Sequence, residues 1–311
     1  MPFQLSDGKE NSHNTNEEKI YDVFYPKYKL SDLIVSEECL NQLNSLLSRI
    51  RYHDLVYVHW NLSSVLPDQQ SILANFYGDS GTGKTMAAHA IANALQMPLL
   101  IVNYAEIESK YVGETPKNLV RLFQFASESH AVILFDEADA LLSRRVTDMH
   151  SAADVSVNQT RSVLLTQLEK YKGIILFTTN FIANYDSAFM RRITLHINFT
   201  LPNVMLRQKI WEKYIPSQMP AKIDFKAIAD GYEGISGADI ANAVVSAAFA
   251  AATEKRDIIP QEYFERAISD IIVAKQCNRS TIASMKTRTV DANYVYQQIG
   301  TKERGSSHAI Y

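Results

Sequence analysis

Five short apolar runs alternate with stretches of helical spacing through the middle of the chain. The runs occupy residues 72–78, 98–103, 131–135, 173–179 and 194–199. Runs that are apolar throughout predict strands buried on both faces, and their alternation with helices predicts a parallel sheet covered by helices on both sides. We therefore expect an α/β fold with a five-stranded parallel sheet.

The pattern changes on either side of this alternating block. Residues 1–19 carry almost no large apolar side chains and cannot offset the entropy of ordering, so we expect a flexible arm there. Amphipathic stretches replace the strand signals after residue 201, which predicts a small all-helical domain over residues 202–275. Polar composition returns over residues 276–311 and predicts a tail. The large α/β domain is thus expected over residues 20–201.

A glycine-rich segment, residues 78–85 (GDSGTGKT), joins the first apolar run to a helical stretch. It matches the pattern G-x-x-x-x-G-K-[ST], in which backbone N–H groups and a helix amino terminus cradle phosphates. In this pattern Lys84 bridges the outer phosphates, and the Thr85 hydroxyl is a ligand of Mg²⁺. The sequence therefore predicts a P-loop NTPase domain that binds ATP or GTP. The expected nucleotide contacts are Gly78, Asp79, Ser80, Gly81, Thr82, Gly83, Lys84, Thr85 and Met86.

Two adjacent carboxylates, Asp136 and Glu137, follow the apolar run of residues 131–135. The carboxyl ends of parallel strands form the edge at which open α/β sheets bind ligands. About 50 residues after a phosphate-binding loop, such a pair predicts that Asp136 holds Mg²⁺ and that Glu137 polarises the attacking water. A water-activating carboxylate favours a hydrolase over a P-loop kinase.

Five segments taken together resemble the AAA+ ATPases. They are the phosphate loop, FDEAD, FTTN ending in Asn180, AFMRRI and GISGAD, and the resemblance covers about residues 30–275. It implies a P-loop α/β domain with a small helical lid, and hydrolysis of Mg²⁺-bound ATP. It also implies that Asn180 is a polar sensor that helps to position the water.

The two arginines in AFMRRI, Arg191 and Arg192, would ordinarily be read as solvated surface charge. The resemblance implies instead that they project into the site of a neighbouring subunit and neutralise charge on the γ-phosphate. A site completed in this way requires an oligomer, and the family usually forms homohexameric rings. The sequence does not distinguish the roles of the two arginines.

Two further features bear on what such a ring would act upon. Ala238 stands where many AAA+ proteins have a second-sensor arginine, and the Gly-Ala form is similar to protein-unfolding and microtubule-severing members. Lys110, Tyr111 and Val112 resemble the pore loop of AAA+ remodellers, whose aromatic rings grip a threaded polypeptide. A packed loop tyrosine is the simpler alternative for Tyr111.

Composition narrows the possible partners. The chain has 31 basic and 34 acidic residues, a net charge of −3, so no nucleic-acid partner is expected. The two cysteines, Cys39 and Cys277, are far apart and lack metal-ligand spacing, which fits a reducing compartment. Neither a signal peptide nor a membrane-spanning segment is recognisable, so we expect a cytoplasmic protein without a membrane partner.

The leading hypothesis is ATP-dependent remodelling or unfolding of a partner protein that is threaded through the pore of a ring. Residues 163–181 resemble the pachytene-checkpoint ATPases, which implies a HORMA-domain client and a role in bacterial nucleotide-signalling defence against phage. The pore-loop, paired-arginine and lid segments are more similar to the severing and endosomal-sorting branch. The alternatives are a nucleic-acid-linked loader or helicase, and a nucleotide-gated scaffold.

Overall fold

A computed structural model describes residues 22–66, 71–103, 115–142, 152–180 and 185–284. The chain divides into two compact units. One unit comprises residues 1–219 and 224–241, and the other comprises residues 220–223 and 242–311. The boundary between residues 241 and 242 falls within a helix of the predicted lid. The boundary that the sequence pattern predicts lies earlier, after residue 201.

The strands and helices follow the predicted alternation. The strands are β1 (Asp22–Phe24), β2 (Ile72–Tyr77), β3 (Leu99–Asn103), β4 (Val132–Asp136), β5 (Ile174–Thr179), β6 (Leu195–Asn198), β7 (Ala221–Lys222) and β8 (Ile259–Pro260). The helices are α1 (Glu37–Arg51), α2 (Lys84–Leu95), α3 (Thr115–Glu128), α4 (Asp139–Leu142), α5 (Ala152–Lys170), α6 (Ser187–Met190), α7 (Val204–Tyr214), α8 (Phe225–Gly231), α9 (Gly237–Thr253) and α10 (Gln261–Ser284).

The main sheet has the strand order β1-β3-β4-β5-β2-β6. Strands β2 to β6 are parallel, which confirms the predicted fold class. Strand β1 pairs antiparallel with β3 at the edge, and its three residues are too few to show a pattern in the sequence. Since β5 lies between β4 and β2, the residues that follow these three strands meet at one edge.

Alternate residues of each central strand enter two separate cores, one on each face of the sheet. Leu134 and Phe135 of β4 are both fully buried, but they belong to different clusters, and Leu176 and Phe177 of β5 divide in the same way. Helices α3 and α5 contribute to the cluster that contains Phe135, and α1 and α2 contribute to the other. Because neighbouring side chains point to opposite faces, strands that are apolar throughout can bury every position.

The second unit contains a short parallel pairing of β7 with β8, the later part of α9, and α10. The sequence pattern predicts only helices over residues 202–275, so these two-residue strands are a small correction. Helix α10 also continues to Ser284, beyond the predicted start of the tail at residue 276. Residues 276–284 contain neither glycine nor proline, so no local signal stops the helix there. Across the described ranges, no helix combines the length and apolar character needed to cross a membrane.

Candidate active site

Three glycines shape the turn between β2 and α2. Gly78, Gly81 and Gly83 have φ angles of +138°, +76° and +100°, which residues with a Cβ atom rarely adopt. At Gly81 there is also no room for a side chain, because an added Cβ would lie 2.6 Å from the Ser236 hydroxyl. These constraints explain why the predicted phosphate loop requires glycine at these positions.

Gly78 supplies a test of this geometry. A Cβ added there would lie 2.1 Å from the carbonyl oxygen of Phe199, whereas a Cβ added to Gly83 meets no described atom within 4 Å. We expect Gly83→Ala to lower the free energy of unfolding by about 1–3 kcal/mol from backbone strain alone, and Gly78→Ala to lower it further. Urea unfolding of the two variants measures the difference, and equal losses would contradict the predicted clash.

The Lys84 side chain is buried where the phosphate loop meets the end of β5. Its Nζ atom donates hydrogen bonds to the carbonyl oxygens of Gly78 at 2.6 Å and Asp79 at 2.9 Å, and to Asn180 Oδ1 at 3.0 Å. Burial lowers the pKa of Lys84, and nearby carboxylates, with Asp139 first among them, oppose that shift. Lys84 therefore joins the phosphate loop to Asn180, the predicted sensor for the attacking water.

The two predicted Mg²⁺ ligands, Thr85 and Asp136, lie next to each other. Thr85 Oγ1 donates to Asp136 Oδ1 at 3.0 Å and lies 3.2 Å from Oδ2. A hydroxyl and a half-buried carboxylate at this separation provide the hard oxygen ligands that Mg²⁺ prefers, so the residues present fit this ion. The Thr178 hydroxyl of β5 also donates to Asp136 Oδ1, a contact that the local sequence pattern does not predict.

Glu137 begins the turn that separates β4 from α4. Its φ angle of +51° is left-handed, and its N–H group donates to Thr178 Oγ1 at 3.0 Å. This turn sends Asp136 towards Thr85, and it leaves the Glu137 side chain exposed on the lining of a cavity. An exposed carboxylate next to a metal site is the arrangement that activation of a water molecule requires.

Asn180 is held at the end of β5 by contacts from two sides. Its backbone N–H donates to both carboxylate oxygens of Asp139 at 3.1 Å, and its side chain accepts from Lys84. Asp139 was not singled out from the sequence, although it is the third acid of the segment FDEAD. The structure thus brings the predicted sensor to the predicted phosphate site.

A cavity of about 340 Å³ lies within the first unit, between the phosphate loop and the residues that follow β4 and β5. Its apolar lining includes Leu33, Val35, Leu206 and Ile210, which provide surfaces for a flat base. The predicted site residues that line it are Ser80, Gly81, Thr82, Gly83, Lys84, Thr85, Met86, Asp136, Glu137, Asn180 and Ala238. The Ala238 N–H group donates to the Gly81 carbonyl oxygen at 3.2 Å, so the predicted lid residue contacts the phosphate loop directly.

Arg191 and Arg192 are in different environments, and neither lines this cavity. The Arg192 guanidinium donates to the Ala188 carbonyl oxygen at 2.7 Å and to the Glu169 carboxylate. The Arg191 side chain is exposed. The two arginines that the sequence leaves equivalent are therefore distinct in the structure. The predicted pore residues Lys110, Tyr111 and Val112 lie outside the described residues.

The fold and the assembled site define an ATPase of the P-loop class. Residues 74–201 match the ATPase family associated with various cellular activities (AAA), and residues 222–266 match the AAA+ lid domain. The chain therefore belongs to the AAA family, and it hydrolyses ATP.

The chain is also similar to curated proteins along most of its length. A putative 26S proteasome regulatory subunit homolog from Methanocaldococcus jannaschii is 32% identical over 82% of this chain and 67% of its own length. The 26S proteasome regulatory subunit 8 homolog of Schizosaccharomyces pombe is 32% identical over 67% of this chain and 53% of its own length. An ATP-dependent zinc metalloprotease FtsH from Lachnoclostridium phytofermentans is 30% identical over 70% of this chain and 39% of its own length. The chain thus spans about half the length, or less, of the last two relatives.

Proposed function

We propose that this protein uses ATP hydrolysis to remodel or unfold a partner protein by threading it through the pore of a homohexameric ring. The observation that carries the proposal is the assembly of Lys84, Thr85, Asp136, Glu137 and Asn180 around one cavity. The relatives reported above are named as 26S proteasome regulatory subunit homologs and as an ATP-dependent zinc metalloprotease, and those names associate this ATPase module with work on proteins.

The hydrolytic step follows from the positions of these side chains. Thr85 and Asp136 would hold Mg²⁺, and the ion would supply positive charge to the phosphates when bound. Lys84 balances charge on the outer phosphate. Glu137 accepts a proton from water as the water oxygen attacks the γ-phosphorus, and the bond to the β-phosphate oxygen breaks. The products are ADP and inorganic phosphate. Asn180, fixed by Lys84 and Asp139, orients the water.

The two arginines take separate roles in this proposal. Arg191 enters the cavity of the neighbouring subunit, because its guanidinium is exposed and lies away from the cavity of its own unit. Arg192 anchors the segment, because Glu169 and the Ala188 carbonyl oxygen already bind its guanidinium. A guanidinium in trans stabilises the charge that develops on the transferred phosphoryl group, so hydrolysis requires the assembled ring.

The threading step is tested at Tyr111. We expect Tyr111→Ala to keep the ATPase rate within about twofold but to abolish conversion of a client, because an aromatic ring grips the polypeptide without touching ATP. Tyr52→Ala, which removes another tyrosine that is 58% exposed, is the matched control and should retain both activities. The client is obtained by purifying the Glu137→Gln variant with ATP and identifying what co-purifies. Conversion of that client by Tyr111→Ala at the wild-type rate would rule out threading.

The nature of the captured client decides between narrower functions. A HORMA-domain protein would support the specific role in phage defence that the resemblance of residues 163–181 suggests. The relatives named above lend no support to that narrower role. Capture of nucleic acid, with hydrolysis stimulated by it and weakened by salt, would favour the loader or helicase alternative. ATP turnover too slow to detect in the wild-type protein would favour the nucleotide-gated scaffold.

A further inference from the structure

Three buried polar side chains meet on one face of the central sheet. Asn75 lies in β2, Thr179 ends β5, and Tyr185 lies just before α6, and they are 0%, 1% and 7% exposed. Tyr185 belongs to the core cluster that also contains Phe177 and Phe189. Polar groups in such a core are costly unless they are hydrogen-bonded, so their presence here requires an explanation.

The three side chains form a closed cycle of hydrogen bonds. Asn75 Nδ2 donates to the Tyr185 hydroxyl oxygen at 3.3 Å, the Tyr185 hydroxyl donates to Thr179 Oγ1, and the Thr179 hydroxyl donates to Asn75 Oδ1 at 3.3 Å. Burial raises the pKa of Tyr185 to about 12, so its hydroxyl keeps the proton that it donates. Loss of any member leaves the other two with unpaired groups in buried positions. The cycle therefore fixes the relative positions of three chain segments.

Two of these segments lead directly into the ATP site. Asn75 lies three residues before Gly78 in the strand that enters the phosphate loop. Thr179 immediately precedes Asn180, whose side chain accepts a hydrogen bond from Lys84. A displacement at the phosphate end of β2 or β5 would therefore act on the cycle through the strand that carries it.

The third segment leads to Arg191. Tyr185 is followed by Asp186, whose N–H donates to the Leu142 carbonyl oxygen at 2.8 Å and whose carboxylate accepts the Ala188 N–H at 2.9 Å. Asp186 therefore fixes the start of α6. Because α6 is only four residues long, a shift of Tyr185 is carried to Arg191 with little chain to absorb it.

We propose that the cycle of Asn75, Thr179 and Tyr185 positions Arg191, and so couples the ATP site of one subunit to the arginine that it presents to the next. The proposal rests on the role in trans proposed above for Arg191. Tyr185 is a positioning residue in this scheme, because it does not line the ATP cavity of its own subunit and acts on the next subunit only through Arg191. Its effect should therefore be measurable in the neighbouring subunit.

Mixed assemblies separate this role from a merely structural one. Carrier subunits are inactivated by Glu137→Gln. Four kinds are compared: one has no further substitution, and the others also carry Arg191→Ala, Tyr185→Phe or Tyr171→Phe. Each carrier is mixed in large excess with wild-type subunits, and ATP hydrolysis is measured. Because the carriers themselves do not turn over, any further change in rate reports on the wild-type sites beside them.

Tyr171→Phe is the matched control. Tyr171 packs against the same core as Tyr185, and burial also raises its pKa to about 12, but its hydroxyl lies 3.3 Å from the Ala131 carbonyl oxygen before β4. We expect Arg191→Ala carriers to slow the wild-type subunits most, and Tyr185→Phe carriers to slow them by about threefold or more relative to carriers with Glu137→Gln alone. Tyr171→Phe carriers should behave like carriers without a further change.

Each result either supports or overturns the proposal. If Arg191→Ala carriers slow their neighbours and Tyr185→Phe carriers do not, the positioning role is wrong and the shared site stands. If Arg191→Ala carriers have no effect, both the shared site and the positioning role fall. Thr179→Val, which removes one hydroxyl without changing shape, replaces Tyr185→Phe if that carrier does not fold.

Unmixed assemblies give an independent measurement. If Tyr185 acts through Arg191, adding Tyr185→Phe to Arg191→Ala should change kcat by less than about twofold, although Tyr185→Phe alone lowers it more. Additive losses in this double-mutant cycle would overturn the proposal. If carriers with Glu137→Gln alone already stop hydrolysis in their wild-type neighbours, the mixed assemblies give no comparison, and the double-mutant measurement alone decides whether Tyr185 acts through Arg191.

Discussion

The Glu137→Gln variant is expected to hydrolyse ATP at least about a hundredfold more slowly than the wild-type protein while binding ATP almost equally well. Glutamine keeps the size of the side chain but cannot accept a proton from water. The left-handed turn at Glu137 is stabilised through its backbone N–H, which the substitution retains. The loss should therefore appear in kcat and not in the affinity for ATP.

Steady-state phosphate release and binding of a fluorescent ATP analogue measure these two quantities. Glu128→Gln is a suitable control, because Glu128 is an exposed carboxylate at the end of α3 and does not line the cavity. A Glu137→Gln variant that hydrolyses ATP at close to the wild-type rate would remove Glu137 from the mechanism. A large loss of ATP affinity would show instead that this carboxylate supports the binding site.

Replacement of Lys84 by methionine should weaken the binding of ATP, unlike Glu137→Gln. Its ammonium group makes three hydrogen bonds from a buried position, so methionine removes a charge that cannot be replaced by solvent. Loss of a buried charged contact to phosphate costs about 2–5 kcal/mol, which corresponds to a loss of affinity of about 30-fold or more. We expect ATP affinity and hydrolysis to fall together.

Calorimetric titration with ATP measures this loss, and Lys117→Met provides the comparison, because Lys117 is an exposed lysine of α3. The loss should exceed that of Lys117→Met even in high salt, because buried charges are screened less than surface charges. Equal affinities for the two variants would contradict the predicted role of Lys84. Unfolding by urea should accompany both measurements, since the Lys84 hydrogen bonds also join the phosphate loop to β5.

The parts of the site that the sequence predicts are those carried by local patterns. The phosphate loop is contiguous, and Asp136 and Glu137 directly follow an apolar strand, so each can be recognised from a few neighbouring residues. Strands β3 to β5 are also recognisable, because they contribute apolar side chains to the cores on both faces of the sheet. Local chemistry and burial thus determine these features before any tertiary contact is known.

The remaining features depend on the pairing of distant segments. Thr178 contacts Asp136 across 42 positions of sequence, and Asn75 contacts Tyr185 across 110. Asn75 stands alone among apolar neighbours and Thr178 is one of two adjacent threonines, and nothing local indicates which partner either residue meets. The different environments of Arg191 and Arg192 likewise depend on Glu169 of a separate helix. Strand order and register, not residue type, create these contacts.

The alternation of Thr178 and Thr179 limits how β5 could change length during evolution. Thr178 reaches Asp136 on one side of the sheet, and Thr179 reaches Asn75 on the other. Insertion or deletion of one residue within β5 would send each hydroxyl to the wrong side and break both sets of contacts, because a one-residue slip inverts every side chain. Changes of two residues preserve the sides. Natural length variation near this strand should therefore fall in the segments that flank it.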